Sequence, residues 1–430
     1  MTIPTDGMII HQDTVLDPGV YFLPNGISIE ADGITLDGSG AALIGLERKG
    51  SGIRLQGRAN VTVKNLKLRD YYHGIHASQC RQLTITQCQA ASSAEVHANT
   101  IFLDIWLTAA QAYGGGILLT ECTDTLVLAN DLQHNMCGLL SYGCQRLTVR
   151  ANNASYCSGF GFHVFETSDS VYEDNCADYC CRWEPRGERR GHMGADATGV
   201  LIIHSSCRNI FHRNLARLGG DGFFLAGLSP SMLPVPCNDN RFEENDGSYS
   251  PNIAFEATFS SGNVWVNNLA NFCNYGFWLG FSSNGIVENN QMVGCRQAGI
   301  ATEMGYNFQV RGNTFRENEH GVLLWSKHIP VFLEPYPHNN NSYNWVIENN
   351  IFVHNGKGVR IAANQDHGIR PYRVPEGKDP TQFCRPYDHI IQNNTFEDNR
   401  TAVEALHTDR TIEQGNRFDH NVEHDYYDQP

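Results

Sequence analysis

The sequence predicts an all-β chain wound as a right-handed parallel β-helix, a solenoid of about a dozen rungs. Three observations lead there. A glycine followed by a short alternating apolar strand recurs along the chain. A second pattern, a strand running into asparagines, falls between its copies. Where nothing is inserted, the strand start returns every 22 to 24 residues.

Taken in order, the glycine strands are GIRLQ at 52, GIHAS at 74, GILLT at 116, GLLSY at 138, GFHVF at 161, GVLII at 199 and GFFLA at 222. NIAFE at 252 follows, with Asn standing for Gly, then GFWLG at 276, GIATE at 299, GVLLW at 321, GVRIA at 358 and a Gly-less AVEAL at 402. The asparagine strands are NVWVNN from 263, GIVENN from 285, FQVRGN from 308, NWVIENN from 344 and HIIQNN from 389. A strand rises about 3.3 Å per residue, so a rung of roughly 22 residues holds three short strands and three turns. Equivalent strands then stack as parallel sheets about 4.8 Å apart. Asparagine at a fixed turn suits left-handed backbone, and stacked Asn side chains can bond from rung to rung. The apolar period of two excludes helical repeats. The L-x-x-L-x-L pattern of leucine-rich repeats is absent. The expected layout is one domain, with an N-terminal cap over 1–50, rungs over 51–410 and a C-terminal end over 411–430.

Composition narrows the function classes. A hydrophobic share of 41% over 430 residues can fill a continuous interior, and a formal charge of −15 argues against nucleic-acid and anionic-membrane partners. No stretch approaches the about 18 uninterrupted apolar residues of a spanning helix. The opening MTIPTDGMIIHQDTVLDPG lacks a cationic stretch followed by a long apolar one, so no signal peptide is read. The 14 cysteines avoid CxxC pairing, and Cys122/Cys144, Cys157/Cys180 and Cys273/Cys295 are about one repeat apart. They are expected as small buried hydrophobes in a reduced compartment, which with the missing signal predicts a cytoplasmic protein.

The VxVxNN turns and GIxL strands resemble the pectate-lyase-like superfamily of right-handed parallel β-helices. The stretch LDPGVYFLPNGISIEADGITLDGSG resembles its sugar-hydrolysis and NosD-like branch. The resemblance implies that the glycine strands form the sheet that floors a substrate cleft. It implies nothing finer about activity. The paired Asp and RIK motif of polygalacturonases, the DPHD of alginate epimerases and the clustered Asp of calcium-dependent pectate lyases are all missing.

Counting from each Gly, positions +1 and +3 are apolar and face the core, so +2 and +4 face outward. The outward strip reads Arg54, His76, Leu118, Leu140, Tyr142, His163, Phe165, Leu201, Ile203, Phe224, Glu256, Trp278, Glu303, Trp325, Arg360 and Glu404. A merely solvated face would be polar, whereas aromatic faces stack on sugar rings. Glu256 and Glu303 fall in one +4 column with the Trp278 rung between them, about 10 Å apart along the backbone. That spacing is compatible with a glycosidase acid/base pair toward the inverting end. The expected catalytic residues are therefore Glu256 and Glu303, with Asp221 as a third carboxylate. Trp278, Trp325, Phe224, His163, Arg360 and Tyr142 are the expected sugar contacts. Insertions at about 92–114, 182–198, 229–238, 327–342 and 364–386 flank the same sheet and would wall the trough. A face covered by its own loops or by another subunit would look equally apolar.

The segment RWEPRGERRGHMGAD places Arg186 and Arg190 where they could clamp a uronate carboxylate or pair with local acids. No metal or cofactor is expected. His163 with Glu166, or His192 with Asp196, is read as hydrogen-bonded structure. These expectations converge on a glycoside hydrolase or related glycan-cleaving transferase with an oligo- or polysaccharide substrate. A polysaccharide lyase or C5-epimerase acting on a uronate is the second reading. The third is a non-catalytic glycan-binding or assembly β-helix, whose strip would serve as a homo-oligomer interface.

Overall fold

The computed structural model describes residues 1–186, 190–194, 197–363, 377, 379 and 384–429, and for 184–186 and 190–193 the backbone alone. The chain divides into two compact units, Met1–Phe223 and Phe224–Pro430. Each is a stack of parallel β-coils, and the fold is a right-handed parallel β-helix.

In the first unit the glycine strands are Ser51–Gln56, His73–Ser78, Gly115–Thr120, Cys137–Tyr142, Phe162–Phe165 and Thr198–Ile203, each parallel to the next. Coils already form ahead of them, since Met8–Ile10 pairs with Ile27–Ile29 and the latter with Ser51–Gln56. In the second unit the equivalents are Ile253–Thr258, Tyr275–Trp278, Ala298–Glu303, His320–Trp325, Lys357–Ala362, Thr401–Leu406 and His424–Gln429. Three-residue strands such as Thr62–Lys64 and Val264–Val266 build the second sheet, and others such as Lys67–Arg69 and Thr314–Arg316 the third.

The glycine is needed for space. A Cβ at Gly74 would lie 2.6 Å from the Gly116 carbonyl oxygen and 2.8 Å from the Ala90 Cβ. The chain can pass this close to the next rung and to Ala90 only if that position stays bare.

The paired asparagines divide two tasks. The first of each pair, such as Asn267, Asn289, Asn349 and Asn393, takes left-handed φ between 54° and 57°. The second is buried and forms a ladder. Asn268, Asn290, Asn313, Asn350 and Asn394 each donate a side-chain amide to the next rung's Asn Oδ1 at 2.9–3.1 Å. The interior beside the ladder is filled by stacked rings, among them Phe315, Phe352, Phe396 and Phe418 at 4.6–5.4 Å. The cysteines are free thiols and mostly buried, with the Cys122 amide donating to Cys144 Sγ at 3.4 Å.

Candidate functional site

The registers correct the expected carboxylate column. Ile253 pairs with Tyr275, Phe255 with Phe277 and Glu256 with Trp278. Ala254, not Asn252, therefore occupies the glycine position, and Glu256 stands at +2. Its column continues through Trp278, Ala301, Leu323, Arg360, Glu404 and Tyr427. Glu303 stands at +4 with Trp325, Ala362 and Leu406. Both carboxylates face outward, because a slip of two residues preserves the face. They are nevertheless staggered by two rungs and two residues, which puts their backbones about 12 Å apart. A sequence signal for the true register existed: IAFEAT at 253 aligns with TAVEAL at 401, Ala on Ala and Glu on Glu.

Within the second unit, Glu256 and Trp278 are half-buried, whereas Glu303 is 3% and Trp325 2% exposed. Trp325 packs with Ala298, Ala301 and Leu323, and Trp278 meets it edge-on at 5.4 Å. The expectation that Trp325 is an open sugar platform is thus corrected. It is buried among side chains of its own sheet, and its indole N–H has no acceptor. Lys327, itself buried, lies 3.8 Å from the Glu303 carboxylate. Sequence reasoning missed this lysine because it follows the strand at the start of an insertion, where the repeat gives no phase. Arg360 is half-buried and ion-paired: Glu404 holds its guanidinium, and Lys357 Nζ lies 2.6 Å from the same carboxylate. Phe224 is buried.

The 327–342 insertion packs against side chains that follow the strands of this sheet. Phe332, on the short helix Pro330–Leu333, meets the rings of Phe259 and Phe281 at 5.0 and 4.9 Å. Tyr336 donates its hydroxyl proton to the Gly227 carbonyl at 2.7 Å, and the Asn339 amide donates to the Met304 carbonyl at 2.9 Å.

In the first unit the middle of the strip is closed. Leu118, Leu140, Tyr142, His163, Phe165, Leu201 and Ile203 are buried, as are Ile101, Leu103 and Ile105 of the 92–114 insertion. Arg182 anchors that insertion, donating to the carbonyls of Thr100 at 2.6 Å and His97 at 3.3 Å. His163 sits among Tyr142, Phe160 and Phe165 at 5.1–6.0 Å. Neither of its ring nitrogens makes a hydrogen bond. Burial pushes its pKa down to about 3, outweighing the opposite influence of the Ile105 backbone. The sugar-contact expectation for Tyr142 and His163 is corrected accordingly: both lie under protein. Asp221, 1% exposed, belongs to this unit and Glu256 to the other, and the Asp221 carbonyl accepts from Thr198 Oγ1 at 2.9 Å. Arg186 and Arg190 face each other across the hairpin of Arg182–Arg186 and Arg190–Gly194. Their side chains lie outside the described residues, as do His192's side chain and Asp196. Most of the 364–386 insertion lies outside them as well.

Among the described residues no group of three or more His, Cys, Asp or Glu could hold a metal. No described helix is long and apolar enough to cross a membrane.

Comparison with known proteins fits this architecture. Residues 25–216 and 92–248 match the family model of the right handed beta helix region. Residues 231–332 match the model of the periplasmic copper-binding protein NosD. That match overturns the expected cytoplasmic location, because its family is periplasmic; buried thiols report packing and not a compartment. No curated protein matches. Among solved structures, the periplasmic alginate epimerase AlgG is 12% identical over 92% of this chain and 78% of its own, with a TM-score of 0.40. The A-module of mannuronan C-5 epimerase AlgE6 from Azotobacter vinelandii is 11% identical over 98% and 91%, with a TM-score of 0.43. The catalytic domain of a GH87 alpha-1,3-glucanase is 10% identical over 93% and 61%, with a TM-score of 0.46. At these identities the likeness concerns the fold alone. With its coils, its asparagine ladder and a family model matched over more than half its length, the chain belongs to the right-handed β-helix family of the pectate-lyase-like superfamily.

Proposed function

We propose that the chain is a carbohydrate-active enzyme that holds a glycan on the outward face of the second unit. The observation that supports this best is the pairing of a half-buried carboxylate, Glu256, with a half-buried indole, Trp278, on adjacent rungs. A sugar ring lying on Trp278 would have Glu256 beside it. Glu303, ion-paired to Lys327, lies deeper on the same face. Staggered by about 12 Å at the backbone, the two side chains can lean to the roughly 6.5–9.5 Å carboxyl separation of inverting glycosidases. In that chemistry one carboxylic acid protonates the leaving oxygen while the other carboxylate draws a proton from the attacking water.

A second reading, a lyase or C5-epimerase on a uronate, draws on the cations Lys327, Lys357 and Arg360 on this face. Products separate the two. A hydrolase releases a new reducing end, and a lyase an unsaturated uronide absorbing in the ultraviolet. Turnover on a glycan panel by Glu256→Gln and Glu303→Gln is the test. Each should lose about 10²–10⁴ in rate, the usual worth of a positioned acid or base. Wild-type rates in both variants would overturn the assignment. Retained glycan binding without any turnover by the native chain would leave a binding β-helix instead.

A further inference from the structure

We propose that the outward face of the third sheet in the first unit, at the strands Val20–Phe22, Ala42–Ile44 and Lys67–Arg69, docks the chain on an anionic phospholipid surface. The inference does not rest on the catalytic reading above, which concerns the other unit and another sheet.

The three strands are neighbours in that order, and Val20–Phe22 is the edge. Their registers make two outward columns, one of Val20, Ala42 and Lys67, the other of Phe22, Ile44 and Arg69. The alternate residues Leu43 and Leu68 are buried. On the edge strand the outward side chains are bare: Val20 is 78% and Phe22 60% exposed. Leu46, just past the second strand, is exposed as well. Terminal coils of a solenoid ordinarily present a polar outer face, and edge strands are ordinarily kept soluble by a charge. Val20–Phe22 has neither.

Charge on this part of the chain is the reverse of the whole. Between residues 48 and 81 there are eight Lys or Arg and a single acid, Asp70, although the formal charge of the chain is −15. Three of the eight are occupied: Lys49 by Glu47 at 2.6 Å, Arg58 by Asp32 at 3.9 Å and Lys64 by Asp37 at 3.2 Å. Lys67 and Arg69 are exposed, and among the described residues neither has a carboxylate partner. Arg69 reaches only the Ser92 hydroxyl, at 3.5 Å. Exposed apolar side chains beside free cations match the two layers of a lipid interface. The acyl boundary takes Val20 and Phe22, and the phosphates meet Lys67 and Arg69. The backbone sets the depth. The Ala42 N–H donates to the Gly19 carbonyl and the Leu23 N–H to the Ile44 carbonyl, so the backbone groups of Val20 and Phe22 point away from their one neighbouring strand. Hydrocarbon would leave those groups unmet, whereas headgroups and interfacial water bond them, so the contact is peripheral. A strand added by a protein partner fits less well. Pro18 and Pro24 bracket the edge, and such a strand would leave Leu46, Lys67 and Arg69 uncovered.

Cosedimentation of the full chain with vesicles tests this, with phosphatidylglycerol mixed into phosphatidylcholine in one set and phosphatidylcholine alone in the other. The chain should bind the anionic vesicles, ignore the neutral ones and be released by about 0.5 M sodium chloride. Phe22→Ser should weaken binding about tenfold, as the loss of a partly buried aromatic ring would. Lys67→Gln and Arg69→Gln should each weaken it about fivefold. Arg54→Gln, on the glycine strand of the same coil, should bind like the native chain. All four side chains are exposed, so each variant should melt with the native chain. No binding to anionic vesicles, equal binding to neutral ones, or an Arg54→Gln loss as large as that of Arg69→Gln overturns the site. Self-association of the native chain that Phe22→Ser abolishes, without vesicle binding, gives the patch to a second copy and overturns the lipid surface.

Discussion

Phe277 and Trp278 are neighbours in sequence with opposite fates. Phe277 is fully buried and stacks on Phe255 at 5.0 Å, while Trp278 stands half-exposed on the outward face. Phe277→Ala should cost about 3–5 kcal/mol, and Trp278→Ala clearly less. Trp325 gives a sharper case. Trp325→Ala should cost about 3–5 kcal/mol as a core truncation. Trp325→Phe, which keeps a ring and deletes an indole N–H lacking an acceptor, should cost under about 1 kcal/mol. Chemical denaturation of the four variants reads all of this, and a Trp325→Phe loss as large as that of Trp325→Ala would mean the N–H is bonded after all. The direction of each of these side chains was legible in the sequence, because alternation alone sets it. How deeply an outward side chain is buried was not, since Trp278 and Trp325 share a parity and differ only in the neighbours packed around them.

At the level of the element, the asparagine ladder is the most legible feature, since the NN pairs mark both the left-handed turn and the bonded column. Asn290 illustrates its value. Its Oδ1 accepts from the Asn268 backbone N–H at 2.8 Å, and its amide donates to the Trp265 and Glu288 carbonyls at 3.0 Å. Asn290→Ala would leave these buried groups unmet at about 1–3 kcal/mol each. Asn289 has left-handed φ and is satisfied equally by glycine. Hydrogen exchange should therefore show the Asn268 amide deprotected in Asn290→Ala and unchanged in Asn289→Gly. Matching protection in the two would remove the ladder from the account of stability. The carboxylate register was misread for a related reason. Ala254 fills the glycine position and Asn252 imitates it, and a shift of two residues leaves the apolar alternation intact. Only strand pairing reveals it.

For the molecule as a whole, each unit buries a histidine that must stay neutral. Burial pushes His163 and His389 down to about 3, and His73 to about 4. The unfolded chain would protonate all three near pH 6.5. Between those values the unfolded state binds more protons than the native one, so stability rises with pH there. The contribution is complete above about pH 6.5 and is lost as pH falls toward 3–4, at up to about 1.4 kcal/mol per pH unit for each histidine. Carboxylates held low by arginine, such as Asp169 by Arg208 and Asp388 by Arg410, lose their contribution only below the ordinary carboxylate range. The acid limb should thus begin near neutrality, ahead of these arginine-held carboxylates. His163→Phe would keep a ring among Tyr142, Phe160 and Phe165 while removing the proton site. Its melting temperature should fall less than the wild type's between pH 7 and 5, and His389→Phe should do the same for the second unit. Parallel curves for wild type and both variants across that interval would show that neither buried imidazole governs the acid response.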